Sequence, residues 1–535
     1  MKVAVIGSGP TGVACAKGLI GRGVAVTVID AGETLDAGRL DLIARLREMP
    51  VADWPAEDVA RIKENPSFAG RGIPRRRWFG SDFVFAGNRP EAPLATEGTT
   101  MSATFAKGGF STVWGASMLP MATSDMGDWP FDADALHPYY RKALADLPLS
   151  AEPGNHDRDF PTFHAGPVPL PLPGQCADLL ARMQGQEAKL IAQGVRFGRA
   201  RLAVQASPVS ATGTPASGSG GCNSCGLCLY GCVPGAIHST TSDIDRLVRQ
   251  GQIAYAPGRM VDRLTETTSG VTVGWRGTRP SASGMADFDA VFLAAGALNT
   301  TRLLMRHLSI IEEDVHMLDS QKCMVPLVNM AATASALSER RPILPGLFLD
   351  MRNEALGPYW VHSQIYAVSE PMLARLGMDD AKRHAVRRGL AAPVLKRLML
   401  SWLSLHSTHS DGLVARLDRT GETLTLRAAQ RKETRRHIAR AARRLARIAL
   451  GFGTLYAWPA MQVGVPGSGH HVGGSFPMRR EPRHRCETDV WGRPAGRRRI
   501  FAVDTSVMPS IPATTITLPA MANAWRIGAA APLGD

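Results

Sequence analysis

The run Val3-Ala4-Val5-Ile6 is apolar and partly β-branched, and it leads directly into Gly7-Ser8-Gly9-Pro10-Thr11-Gly12. A buried parallel strand has this composition. The small residues that follow, Val13-Ala14-Cys15-Ala16, suit a helix packed closely on that strand. Gly7 permits the tight turn, Gly9 lets a pyrophosphate approach the backbone, and Gly12 lets helix and strand pack. The helix N-terminus then stabilises the phosphate charge. A second apolar run, Val24 to Ile29, ends at Asp30, where an acid is placed to accept hydrogen bonds from a ribose. The spacing of glycines alone would also fit an ordinary βαβ unit. With the acid-ended second strand it predicts a Rossmann-type dinucleotide fold with contacts at Gly7, Ser8, Gly9, Thr11, Gly12 and Asp30.

That motif does not choose between NAD and FAD. Val291 to Asn299 reads as a buried strand followed by a turn at Gly296, and Ala254 to Val261 as a strand with a Pro-Gly interruption. Two-part nucleotide folds of this kind are usual for FAD, so Val261 and Gly296 join the predicted contacts. The 535 residues, 44% hydrophobic and 20% charged, are enough for two or three domains with substantial cores. No window approaches the apolar length of a transmembrane helix. Met1-Lys2 runs straight into the first strand and leaves no room for a signal peptide, so a cytoplasmic location is expected. Export with a partner subunit is the other route.

Four of the eight cysteines stand together in Cys222-Asn-Ser-Cys225-Gly-Leu-Cys228-Leu-Tyr-Gly-Cys232, after the loop-like stretch 206–221. A continuous run with these spacings can wrap one small iron–sulfur cluster, of three or four irons. Zinc more often takes two separated two-cysteine knuckles. Two disulfides would need an oxidising compartment. All three readings stay open at this point, with Cys222, Cys225, Cys228 and Cys232 as the candidate ligands.

The formal net charge is +14, which favours acidic partners. Much of it is local: Arg431, Lys432, Arg435, Arg436, Arg440, Arg443, Arg444 and Arg447 face one acid, Glu433. Ile438, Ala442, Leu445 and Ile448 share one helical face. The segment 431–448 therefore reads as a surface helix with a solvated basic side, or as a peripheral membrane or partner contact. No motif with interleaved aromatics argues for nucleic acid.

Taken together, the chain resembles the glucose–methanol–choline family of FAD oxidoreductases, in its iron–sulfur-bearing bacterial sugar and alcohol dehydrogenase-like branch. The likeness runs from residue 1 to about 530. Gly108-Gly109-Phe110-Ser111-Thr112-Val113-Trp114-Gly115 resembles the family loop beside the flavin ring, implying contacts at Gly108, Gly109, Ser111 and Trp114. Asp128-Trp129-Pro130 and Leu136-His137-Pro138-Tyr139-Tyr140 resemble the sugar-dehydrogenase branch. His470-His471-Val472-Gly473-Gly474 is similar to the catalytic-histidine loop, with His470 at the catalytic position, and Val503 to Pro509 to the final FAD-contacting turn, with Asp504. The middle, roughly 311–460, matches only in general character.

The resemblance implies an α/β fold: a Rossmann-type FAD domain over 1–310, with the Cys-rich segment 206–240; a discontinuous substrate domain over 311–460, built on an antiparallel sheet with helices; and a return to the FAD domain over 461–535. It implies hydride transfer from a CH–OH group to flavin N5, with a histidine removing the hydroxyl proton. Histidine suits that role because its unperturbed pKa of about 6.5 lies near working pH. It also implies electrons passing through a cluster to an external acceptor, a protein or a quinone. One departure matters. Where the family usually has a second histidine or an asparagine, this chain has Thr515, which can donate a hydrogen bond but cannot be a base at neutral pH. Three readings stay open: Thr515 orients while His470 works, His471 or a substrate-domain histidine fills the gap, or the chemistry differs from ordinary alcohol oxidation.

On the substrate side, period-2 alternation sends His362, Gln364 and Tyr366 to one face of a strand, and Met399 to His409 reads as another strand. Polar groups there suit a polyhydroxylated substrate; a sheet face turned to water reads the same way. Three functions follow: a sugar or polyol dehydrogenase, a long-chain or ring alcohol dehydrogenase at a membrane surface, or a non-catalytic flavin and iron–sulfur electron-transfer subunit.

Overall fold

The first apolar run forms the central strand of a five-stranded parallel sheet. The structure, a computed structural model, describes residues 1–64, 79–85, 89–207, 221–278, 283–378 and 385–533. In that sheet the strands lie in the order Ile500–Ala502, Ala290–Leu293, Lys2–Ile6, Ala25–Ile29, Ile253–Ala256. All four pairings are parallel. Such a sheet needs cover on its faces, and its strands are accordingly buried runs of Val, Ile, Ala and Phe. The helix Pro10–Ile20 packs on the C-terminal helix Thr517–Ala530. Small residues allow this: a Cβ on Gly18 would lie 2.7 Å from the Trp525 carbonyl oxygen, and one on Gly528 2.4 Å from that of Cys15. The C-terminal helix therefore belongs to the nucleotide-type core, far from it in sequence.

The segment read as one strand from Ala254 to Val261 is two. Pro257 and Gly258 break it, and Arg259–Glu266 turns away into a three-stranded antiparallel sheet with Val271–Gly277 and Gly284–Phe288. A proline cannot donate to a ladder, which is why the break falls there.

Two further sheets build the rest. Lys322–Asn329, Leu398–Leu405, Gly357–Tyr366, Leu347–Asn353 and Val195–Arg199 lie side by side and antiparallel, and Thr454–Tyr456 and Gln462–Val463 add to the outer edge of Lys322–Asn329. The alternation along Lys322–Asn329 decides what each face does. Cys323, Val325 and Leu327 enter a core closed by the helices Gly174–Gln184 and Thr434–Gly451. Lys322 and Met324 face the other way. The basic helix spends its apolar stripe, Ile438, Ala442, Leu445 and Ile448, on that core, so Arg435, Arg436, Arg440, Arg443 and Arg447 turn outward. The last sheet joins Val472–Gly473, Asp314–Asp319, Gly412–Leu417, Leu424–Ala429 and Leu94–Glu97. Through it the His470 loop is anchored, because Asp319 pairs with Val472 and Leu318 with Gly473. Among the described residues no helix is long and apolar enough to cross a membrane.

Candidate active site

The carboxyl ends of the parallel strands open onto a cavity of about 420 Å³. Gly7, Ser8, Gly9, Thr11, Asp30, Gly109, Ser111, Trp114, Val261, Gly296, Asp504, Thr515, His470 and His471 all line it. Ligands of open α/β sheets bind at this edge. Of the predicted contacts, Gly12 and Gly108 do not line it; they shape it from behind. A Cβ on Gly12 would sit 2.1 Å from the Gly7 carbonyl oxygen, and the Gly108 N–H donates to Ser8 Oγ at 2.8 Å.

The nucleotide end is built for an anion. The helix Pro10–Ile20 starts at Gly9 with no side-chain cap, and Ala297–His307 starts at Gly296 with none. Both leave first-turn N–H groups facing the cavity edge, where the helix dipole favours negative charge. Arg302, on the second of these helices and missed in the sequence, also lines the cavity. Its Nη2 donates to the Pro93 carbonyl at 2.7 Å, while its buried Nε and Nη1 have no partner. Burial pushes its guanidinium down to about 10, so it is a cation left short of counter-charge. Asp30 accepts from Ser8 Oγ and, at 3.2 Å, from Tyr255 Oη. Burial raises it to about 6 against those hydrogen bonds. Asp504 accepts from Thr300 Oγ1 and from the Ser506 N–H at 2.9 Å, and burial raises it too. Two uncapped helix starts, an unpaired buried arginine and a buried carboxylate fit a dinucleotide such as FAD.

The reaction end is the loop at His470. Asp319 holds it by accepting the Gly467 N–H at 2.8 Å, and the His470 N–H closes a turn onto the Gly467 carbonyl. His470 has φ +56°, a left-handed conformation that a residue with a full side chain adopts only when its surroundings enforce it. Its ring is wedged between the edges of Phe85 and Phe110, with centroids 5.4 and 4.9 Å away, and Nε2 lies 3.5 Å from Ser102 Oγ. Thr515 is committed elsewhere: its Oγ1 accepts the buried Leu119 N–H at 2.8 Å.

His471 heads a chain of groups that the sequence scattered over three segments. Its Nε2 lies 3.4 Å from Lys322 Nζ. Burial, then the Lys322 charge, push its pKa well below the usual histidine value, so the ring is neutral. An ammonium can only donate, so Nε2 accepts and Nδ1 carries the proton. That Nδ1 side is buried, the Thr514 backbone acts on the ring as an acceptor, and the His362 ring is near enough to lower the proton affinity of His471. His362 Nδ1 and His156 Nε2 each lie 2.8 Å from an oxygen of Asp350, which is fully buried. Burial pushes Asp350 up, but His362 and His156 outweigh it and bring it down to about 2. The carboxylate is acceptor-only, so both histidines donate to it. Gln364 and Tyr366 reach the cavity as the alternation predicts, whereas His362 stops one layer behind it.

Cys222, Cys225, Cys228 and Cys232 are free thiols on a loop between the core and a small cluster around Leu46 and Tyr230. They lie within electrostatic reach of one another: burial first, then the neighbouring thiols, raise Cys222, Cys225 (to about 12) and Cys228. Among the described residues, however, no three His, Cys, Asp or Glu side chains stand close enough to hold one metal ion. Leu229, inside the run, lines the cavity.

The fold around this site is that of FAD-dependent oxidoreductases. Pyridoxine 4-oxidase from Mesorbium loti superposes with a TM-score of 0.56 at 15% identity, covering 98% of each chain. An FAD-dependent oxidoreductase from Chaetomium thermophilum, solved with a thiophenyl butanamide fragment, superposes with a TM-score of 0.58 at 13% identity, again over 98% of each. No protein-family model matches the chain, and no curated protein sequence does.

Proposed function

We propose that this chain is an FAD-dependent dehydrogenase that oxidises the CH–OH group of a sugar, polyol or sugar derivative, and passes electrons through an iron–sulfur cluster to an external acceptor. One observation carries the reading: His470, held in a strained conformation, shares a single cavity with the glycine turn at Gly7. FAD, when bound, supplies the two-electron acceptor. The uncapped starts of Pro10–Ile20 and Ala297–His307 would take its phosphates, and Asp30 a ribose.

The protein's own work is then positional and protolytic. His470 takes the substrate hydroxyl proton, and Ser102 steadies its ring. Lys322, beside the His470 loop, and Gln364, Tyr366 and Ser369 also line the cavity and offer hydrogen bonds there, which supports a substrate with several hydroxyls. Thr515 orders the wall through Leu119 and touches no proton. His471, held neutral by burial and by Lys322, takes the second position that Thr515 leaves vacant.

The four thiols support the cluster. Cys228 is buried and the other three are partly buried near it, and the Ile237 N–H donates to Cys232 Sγ at 3.4 Å, a contact that suits a thiolate ligand. The continuous Cys222–Cys232 run, rather than two separated two-cysteine knuckles, favours a cluster over zinc. Anaerobic addition of sugars, polyols and long-chain alcohols should bleach the flavin band with at least one of them. His470→Gln should keep the bound flavin and lose the bleaching. If no alcohol reduces the flavin, the electron-transfer subunit is the better reading. Iron and acid-labile sulfide should be present in the protein and lost in Cys225→Ser.

A further inference from the structure

Among the described residues, six exposed apolar side chains, Met330, Val386, Leu390, Val394, Leu450 and Leu455, gather at one end of the large antiparallel sheet. The chain between the strands Gly357–Tyr366 and Leu398–Leu405 includes the helices Glu370–Arg375 and Ala385–Leu395. In the second helix Val386, Leu390 and Val394 follow one another at four-residue spacing, and so form one stripe. That stripe faces outward: the three are 77%, 81% and 60% exposed, and only Leu395 of this helix is buried. Gly389 and Pro393, on the same arc, are exposed too. Met330, 64% exposed, adjoins the helix end, since its carbonyl accepts from Arg397 Nε at 3.1 Å. Its own N–H donates to the Gly453 carbonyl at 2.9 Å, which brings Leu450 and Leu455 to the same edge, both about half exposed. An apolar face of this kind on a surface helix is uncommon without a partner.

The charge along the exposed helix itself has one sign, with Asp178 and Glu339 behind it engaged by Thr333 and by Ser335 and Gly174. Residues 385–397 carry Arg387, Arg388, Lys396 and Arg397 and no acid. Leu450 ends the basic helix, whose Arg440, Arg443 and Arg447 point outward. We propose that the stripe Val386–Leu390–Val394, with Met330, Leu450 and Leu455 beside it, docks the protein on the surface of an anionic lipid bilayer. An in-plane helix with an apolar face and a cationic rim binds such a surface by both terms. Charge also argues against a second copy of the chain, because a two-fold contact would set the basic rim against itself. The basic helix cannot insert, its apolar stripe being used in the core, so it attracts while Ala385–Leu395 anchors. Ser369 and Met372, at the start of the same excursion, line the cavity, so docking puts a cavity wall against the membrane.

Co-sedimentation of the full, flavin-loaded chain with phosphatidylcholine vesicles, with and without phosphatidylserine, tests this. The protein should pellet with the phosphatidylserine vesicles. Val386→Glu and Leu390→Glu should each weaken that binding by about tenfold, as loss of one buried aliphatic anchor implies. Leu390→Trp should preserve it. These side chains are exposed, so the flavin spectrum should be unchanged, and that spectrum reads the proposed function separately. No pelleting with either vesicle overturns the proposal. So does binding that follows Arg436→Glu/Arg440→Glu alone and ignores Leu390. A wild-type dimer that Leu390→Glu dissolves, with no vesicle binding, assigns the face to a second copy instead.

Discussion

Asp350→Asn probes the least sequence-evident part of the site. The carboxylate is fully buried, and its two histidines bring it from 3.8 to about 2. At about 1.4 kcal/mol for each unit, the ion contributes about 2 kcal/mol to stability. Because the folded value is depressed, that contribution is complete above the unfolded value of about 4, and it is lost as pH falls through about 2. An asparagine keeps one acceptor for the His362 Nδ1–H but presents an NH2 to His156, which must change tautomer to accept it. With an unfolding entropy of about 2.1 cal/mol/K per residue, a cooperative transition should drop by about 2 °C at pH 7. Asp350→Ala strands both rings and should cost about 3–5 kcal/mol. The assay is thermal unfolding by circular dichroism at pH 7 and at pH 3. An asparagine variant as stable as the parent at pH 7, or a deficit that does not shrink at pH 3, refutes the charge argument. Its catalytic counterpart is a loss of turnover with flavin binding intact, since His362 then no longer has an ionised partner behind it.

Other perturbations follow from single contacts. In Gly7→Ala the new Cβ would meet the Ala294 carbonyl oxygen at 2.5 Å with φ at +105°, so the purified variant should lack flavin absorbance while a Gly23→Ala control keeps it. Thr515→Val leaves the buried Leu119 N–H without its acceptor and should cost about 1–3 kcal/mol in urea unfolding, whereas Thr515→Ser should restore both stability and turnover. Flavin affinity, followed by fluorescence quenching, should weaken as pH drops through about 6, because Asp30 then takes a proton and loses acceptor capacity; Asp30→Asn should abolish that dependence.

The glycine motif and the acid-ended strand were legible because they are local. Turn geometry, close backbone approach and helix start are set by neighbouring residues, and the structure places Gly7, Gly9, Thr11 and Asp30 along one cavity edge. The polar face of Gly357–Tyr366 was legible in part for the same reason: strand period puts Gln364 and Tyr366 on one side whatever lies opposite. What lies opposite was not legible. That His362 meets Asp350 depends on a register pairing the two strands, and His156 arrives from a segment nearly two hundred residues earlier. Nor was it legible that the hydroxyl of Thr515, which lines the cavity, also accepts the Leu119 N–H.

From sequence alone, then, come the dinucleotide turn, the His470 loop and the cysteine run, each encoded by residues within a dozen positions of one another. Only the tertiary structure decided that the buried Arg302 lines the cavity, that His362 and His156 share one buried carboxylate, and that the basic helix uses its apolar face inward while Ala385–Leu395 leaves its own bare. Periodicity shows that a helix has an apolar side, but not whether anything covers it; that depends on which long-range contacts the fold brings to that surface.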